Sequence, residues 1–159
     1  SFSIEVPPGL VWYFPQSKRG QGAAAAQMVN DPLFEAALQP LLGLVSDEQM
    51  LLLAQAESGF LAVARSEQLG QLTIEKVVGS LANEPFPGGD VLTTREGSNR
   101  AGSKLAMIIL ELEDPPLICR QYFLPNSTDA YLAAICAGPG QFEQQSAEFE
   151  TILNSLTIR

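Results

Sequence analysis

Runs of apolar residues, and the polar breaks between them, divide this chain into strands and helices before any motif is considered. The last third is the clearest part. Lys104 to Leu112 and Leu117 to Leu124 are long apolar runs separated by Glu113-Asp114-Pro115-Pro116, where two prolines interrupt pairing. Pro125-Asn126-Ser127-Thr128-Asp129 is turn chemistry and leads into a third run, Ala130 to Ala137, which Gly138-Pro139-Gly140 stops. Phe142, Phe149, Ile152 and Leu153 then recur at helical spacing, and Leu156 and Ile158 alternate in a closing strand.

The earlier part reads less regularly. Phe2 to Val6 alternates as a strand, Pro7-Pro8-Gly9 turns, and Leu10 to Phe14 is an aromatic strand ended by Pro15. Gln16 to Gly22 reads as a polar loop and Ala23 to Met28 as a short stretch of high helix propensity. Asp31 and Pro32 suit the start of a core-facing helix carrying Leu33, Phe34, Ala37, Leu38, Leu41 and Leu42. Met50 to Ala54 and Phe60 to Ala64 flank Glu57-Ser58-Gly59 and suggest a hairpin. Ile74, Val77, Val78 and Leu81 predict a helix over Thr73 to Leu81. A loop from Asn83 to Asp90, a short strand Val91 to Thr94 and a turn Glu96 to Asn99 complete the pattern. Adjacent strands joined by tight turns, with helices inserted between groups of strands, make an α+β fold on a mainly antiparallel sheet.

Composition narrows the functions open to such a fold. The 159 residues suit one domain spanning 1–159, and 46% hydrophobic with 17% charged residues is globular composition. A formal net charge of −9 repels phosphate backbones and argues against nucleic acid as a partner. No apolar run reaches the roughly 18 residues of a membrane span. The chain opens on Ser1-Phe2 without Met and enters a strand at once, so either a signal leader or a lipoprotein leader with its lipid anchor is expected upstream. The alternative is a chain trimmed at the domain edge in a cytoplasmic protein.

Histidine is absent, which removes Ser-His-Asp and Cys-His catalysis and every histidine-containing zinc site. Gly97-Ser98-Asn99-Arg100-Ala101-Gly102-Ser103-Lys104 resembles a phosphate-binding loop, but its Ser and Lys are exchanged and a strand follows, so it reads as a hairpin connection. Carboxylates cluster at Asp47-Glu48, at Glu111, Glu113 and Asp114, and at Glu143, Glu148 and Glu150. The middle cluster has the makings of a calcium site, against which solvated strand-end charge is the simpler reading. No catalytic group, metal site or cofactor is expected, and the chain is read as no enzyme. Lys18-Arg19 and the trio Arg95, Arg100 and Lys104 are its basic concentrations; the trio is a candidate grip on an acidic partner. Alternation sends Trp12 and Phe14 to one sheet face and Tyr13 to the other. Asn126-Ser127-Thr128 matches the glycosylation sequon and is read simply as a turn.

Cys119 and Cys136 are the most testable pair. A hairpin symmetric about the Ser127–Thr128 bond sets Cys119 opposite Cys136, Gln121 opposite Ala134 and Phe123 opposite Leu132. The pair is then either a cross-strand disulfide or two buried thiols.

Several stretches resemble the PsbP-like superfamily, which groups the PsbP proteins of photosystem II with a eukaryotic Ran-binding import factor and bacterial proteins. They are Phe2-Ser3-Ile4-Glu5-Val6-Pro7-Pro8-Gly9 with Trp12 soon after, Arg120-Gln121-Tyr122-Phe123 running into a hairpin, and Phe149-Glu150-Thr151-Ile152-Leu153-Asn154-Ser155-Leu156. The resemblance implies an α/β/α sandwich with a central sheet of about six or more strands and helices on both faces. It also implies a binding or accessory module that engages a protein and has no common active site. The loop Gln16 to Gly22 and the helical stretch Ala23 to Leu42 exceed what a minimal member needs, and no motif for photosystem II or Ran binding is present. The resulting expectation is an exported, extracytoplasmic protein-binding module. The alternative is a carrier of a small apolar ligand held between the sheet and the helix that starts at Asp31.

Overall fold

A computed structural model describes residues 2–5, 10–15, 19–20, 49–55, 59–83, 89–98, 102–114, 116–155 and 157–158. Strand β1 (Phe2–Ser3) pairs with β10 (Thr157–Ile158), near the two ends of the chain. The main sheet holds β2 (Val11–Phe14), β3 (Arg19–Gly20), β4 (Gln49–Gln55), β5 (Gly59–Ser66), β6 (Gly89–Ser98), β7 (Lys104–Glu113), β8 (Pro116–Pro125) and β9 (Ala130–Ala137). Its eight strands run in the order β3-β2-β4-β5-β9-β8-β7-β6, and every pairing is antiparallel. After β5 the chain passes a 3-10 turn (Gln68–Gln71) and helix α1 (Ile74–Asn83) to the far edge at β6. It then returns strand by strand until β9 lies beside β5, and helix α2 (Phe142–Ser155) follows. The helices expected at Ala23–Met28 and from Asp31 to Leu42, the Asp47-Glu48 pair, Lys18 and Arg100 lie outside the described residues.

Alternation along the central strands sorts the core into two sets. Leu61, Val63, Tyr131, Ala133 and Ile135 pack with Phe142, Phe149 and Ile152 of α2. Phe60, Ala62, Ile108, Ala134 and Cys136 pack with Val77 of α1, while Ile74 of the same helix meets Ala106 and Phe123. Strand β9 is buried along almost its whole length, and its alanines leave room for the large side chains packed on it. Trp12 and Phe14 join the first set and Tyr13 the second, as alternation requires. The two rings of Trp12 and Phe14 meet edge to face, 5.2 Å apart.

Two elements depart from the sequence reading for one reason. The predicted loop end Gly89-Asp90 and the predicted turn residues Glu96 to Ser98 are strand in β6, paired from Gly89↔Leu112 to Ser98↔Lys104. Arg19–Gly20, read as loop, pairs with Tyr13 and Phe14 as β3. In both places a neighbouring strand, the ten-residue β7 or the four-residue β2, has backbone groups to satisfy, and that demand overrides weak local propensity. Leu92 sits in a register shift between Val91 and Thr93, so the face presented by each residue changes there.

One corner is held by polar contacts. Asp129, buried at the start of β9, accepts from Arg65 Nε at 2.5 Å and from Asn126 Nδ2 at 3.1 Å. The 3-10 turn packs directly on it: a Cβ on Gly70 would stand 2.4 Å from the Asp129 Cα, so no side chain fits there. Helix α1 begins as predicted, with the Lys76 amide donating to Thr73 Oγ1 at 3.3 Å as a side-chain cap.

The β8–β9 ladder pairs Cys119 with Cys136, Gln121 with Ala134 and Phe123 with Leu132, the register that the symmetric turn implies. The two sulfurs are bonded, with the Cα atoms 4.1 Å apart and both residues at most 1% exposed. Alkylation of unfolded, unreduced protein is expected to label neither cysteine, and reduction to lower stability by about 3 kcal/mol through the freed loop. Two labelled thiols would contradict the bond.

Candidate functional site

Helix α2 lies along β9 and β5, which leaves the β6–β7 end of its sheet face uncovered by described residues. A cleft of about 350 Å³ opens there, between the last turns of α2 and strands β6, β7 and β8. Leu105 and Met107 of β7, Leu124 of β8 and Leu153 of α2 supply apolar walls. Arg95, Ser98, Tyr122, Glu150 and Asn154 supply the polar ones.

Strand parity places these side chains. Arg95 pairs with Met107 and Gly97 with Leu105, so Arg95 shares the face of Leu105 and Met107. Along β8, Arg120, Tyr122 and Leu124 alternate onto that face, while Cys119, Gln121 and Phe123 point the other way. Glu150 follows Phe149 on the flank of α2 that turns toward the strands. It accepts from Arg120 Nη1 and, at 3.1 Å, from the Tyr122 hydroxyl. The Arg120 guanidinium also lies over the Phe142 ring, 5.2 Å from its centre. Burial pushes the Tyr122 phenol above its ordinary range, partly offset by the charges of Arg120 and Arg95. Tyr122 therefore stays a neutral donor throughout the physiological range.

Arg95 is the other charge on the cleft wall. Its Nη2 lies 3.5 Å from the sulfur of Met107, a weak acceptor, and among the described residues no carboxylate pairs with it. Glu96 also borders the cleft, but its register partner Ala106 belongs to the opposite face.

The basic trio does not assemble as one patch in the described part. Arg95 lies on the sheet face of Leu105 and Met107, whereas Lys104 alternates with Ala106 onto the other, close enough for its charge to act on Glu75. Of the acidic groups, Glu113, Asp114, Glu143 and Glu148 are exposed, and Glu150 is engaged by Arg120. Among the described residues no three acidic or cysteine side chains converge in a way that could hold a metal. The loop that resembles a phosphate-binding turn joins β6 to β7, with Gly102 at a φ of 82° that favours glycine.

Arg120, Tyr122 and Glu150 were not singled out from sequence as a site. The available signal was positional: two polar residues alternate with apolar ones on a strand, and an acid lies beside Phe149 on the inner side of a helix.

Comparison with solved structures places the architecture. The chain superposes on cyanobacterial PsbP (CyanoP) from Synechocystis sp. PCC 6803 with a TM-score of 0.51 at 9% identity, over 100% of this chain and 93% of that one. The fold is PsbP-like. PA94 from Pseudomonas aeruginosa, a protein of unknown function, matches with a TM-score of 0.56 at 12% identity, over 72% of this chain and 85% of that one. No protein-family model matches the sequence, and no curated protein matches it significantly. At such low identity the likeness concerns the PsbP-like fold alone.

The Arg120–Glu150 pair clamps α2 to β8 in this fold, and Arg120 is 14% exposed in its side chain. Glu150→Gln is expected to lower stability by about 1–2 kcal/mol in urea unfolding, discounted because Glu150 is 37% exposed. A change below about 0.3 kcal/mol would show that the clamp contributes little.

Proposed function

We propose that this protein is a non-enzymatic accessory module that engages another protein in an extracytoplasmic compartment. The layering expected for such a module, helices on both faces of the sheet, is supported by α1 and α2 packing against opposite residue sets. The PsbP-like fold of CyanoP supports an accessory role, and the Cys119–Cys136 bond suits an oxidising environment.

The observation that carries the reading is the outer edge of β6. This ten-residue strand ends the sheet, and no described strand pairs with its outer side. Leu92, at the register shift, is 53% exposed. Long edges with exposed apolar residues invite an added strand unless something covers them. A partner strand would gain main-chain hydrogen bonds along β6 and an apolar contact at Leu92.

A photo-crosslinking residue placed at Leu92 is expected to capture one discrete partner in the native host, and the same residue at Glu148 on α2 is expected not to. Capture at Leu92 no stronger than at Glu148, together with reproducible turnover in a substrate screen, would reverse the reading in favour of an enzyme.

A further inference from the structure

We propose that the cleft between α2 and strands β6, β7 and β8 binds a small amphipathic carboxylate, an alkyl chain ending in a carboxylate group. The proposal concerns a different surface from the β6 edge and does not rest on the partner reading.

The cleft combines the two features that such a ligand requires. Leu105, Met107, Leu124 and Leu153 line a trough of about 350 Å³, at the lower end of the size range of small-molecule sites. Beside that trough stands Arg95, a cation with which no described carboxylate forms an ion pair. Among the described residues Arg95 has one side-chain contact, the Met107 sulfur, and its guanidinium fork matches a carboxylate in geometry. The carboxylate already present, Glu150, is occupied by Arg120 and the Tyr122 hydroxyl, so its charge is locally compensated. Met107 ties the two features together. Its thioether touches Arg95 and its chain forms part of the apolar wall, so a ligand seated at the guanidinium runs directly into the trough.

A neutral apolar ligand would fill the trough and leave Arg95 unused. A small hydrophilic anion would meet Arg95 and leave the trough wet. Only a molecule carrying both parts uses both.

Calorimetric titration with decanoate tests this, with decanol as the uncharged counterpart. Native protein is expected to bind decanoate at least about fivefold more tightly than decanol, the difference resting on the charge-assisted contact. Lengthening the chain from hexanoate to octanoate to decanoate is expected to tighten binding about fifteenfold at each step where both added methylenes are buried. Arg95→Gln, an exposed change on an edge strand, is expected to remove the preference for decanoate over decanol. Lys104→Gln on the opposite face is expected to leave it intact. Methyl resonances of Leu105, Leu124, Leu153 and Met107 are expected to shift on addition of decanoate. Absence of decanoate binding to native protein, equal affinity for decanoate and decanol, or an unchanged preference in Arg95→Gln would each overturn the proposal.

Discussion

The register of β8 on β9 is the constraint on which the rest of the structure depends. A strand has two faces, and sliding β8 by one residue would exchange every side chain between them. In the observed register Cys119, Gln121 and Phe123 turn toward one face of the sheet, and Arg120, Tyr122 and Leu124 toward the other. Burial enforces this sorting. Phe123 is 2% exposed and packs with Ile74, so a slip would send a large ring to the wrong layer and bring Tyr122 or Leu124 into its place. The bond between Cys119 and Cys136 ties the two strands covalently at a directly paired position.

The cleft follows from the same register. Met107 pairs with Tyr122 and with Arg95, so one row across β6, β7 and β8 presents a cation, a thioether and a phenol to the same side. Helix α2 approaches this row through Glu150, which receives Arg120 and Tyr122, and among the described residues a cleft lies beyond its last turns. A polar clamp therefore stands at the boundary between the covered and uncovered parts of one sheet face. Strand β6 forms the outer wall of the cleft and is also the last strand of the sheet among the described residues.

Much of this was legible in the sequence where burial is two-sided and turns are short. The runs from Lys104 to Ala137 and the spacing of Phe142, Phe149 and Ile152 map directly onto β7, β8, β9 and α2, because apolar periodicity and Pro or Asn punctuation agree there. The full length of β6 was not legible. Glu96, Gly97 and Ser98 have turn-like composition, and only the unsatisfied backbone of β7 draws them into a strand. The cleft was not legible either, since its walls come from residues 95 to 154 and meet through register and helix placement. Arg95 was visible as a basic residue, but its separation from Lys104 onto the other face emerges only from the pairing.

The most direct test of the register is the pattern of Hα–Hα contacts across β8 and β9 in solution. A Cα separation of 4.1 Å marks Cys119 and Cys136 as a non-hydrogen-bonded pair, and pairs of that kind recur every second residue. Strong nuclear Overhauser effects are therefore predicted between the Hα atoms of Cys119 and Cys136, Gln121 and Ala134, and Phe123 and Leu132. Strong effects linking Gln121 to Ala133 or Ile135 instead would mean a shifted ladder, and with it a different division of side chains between the two faces.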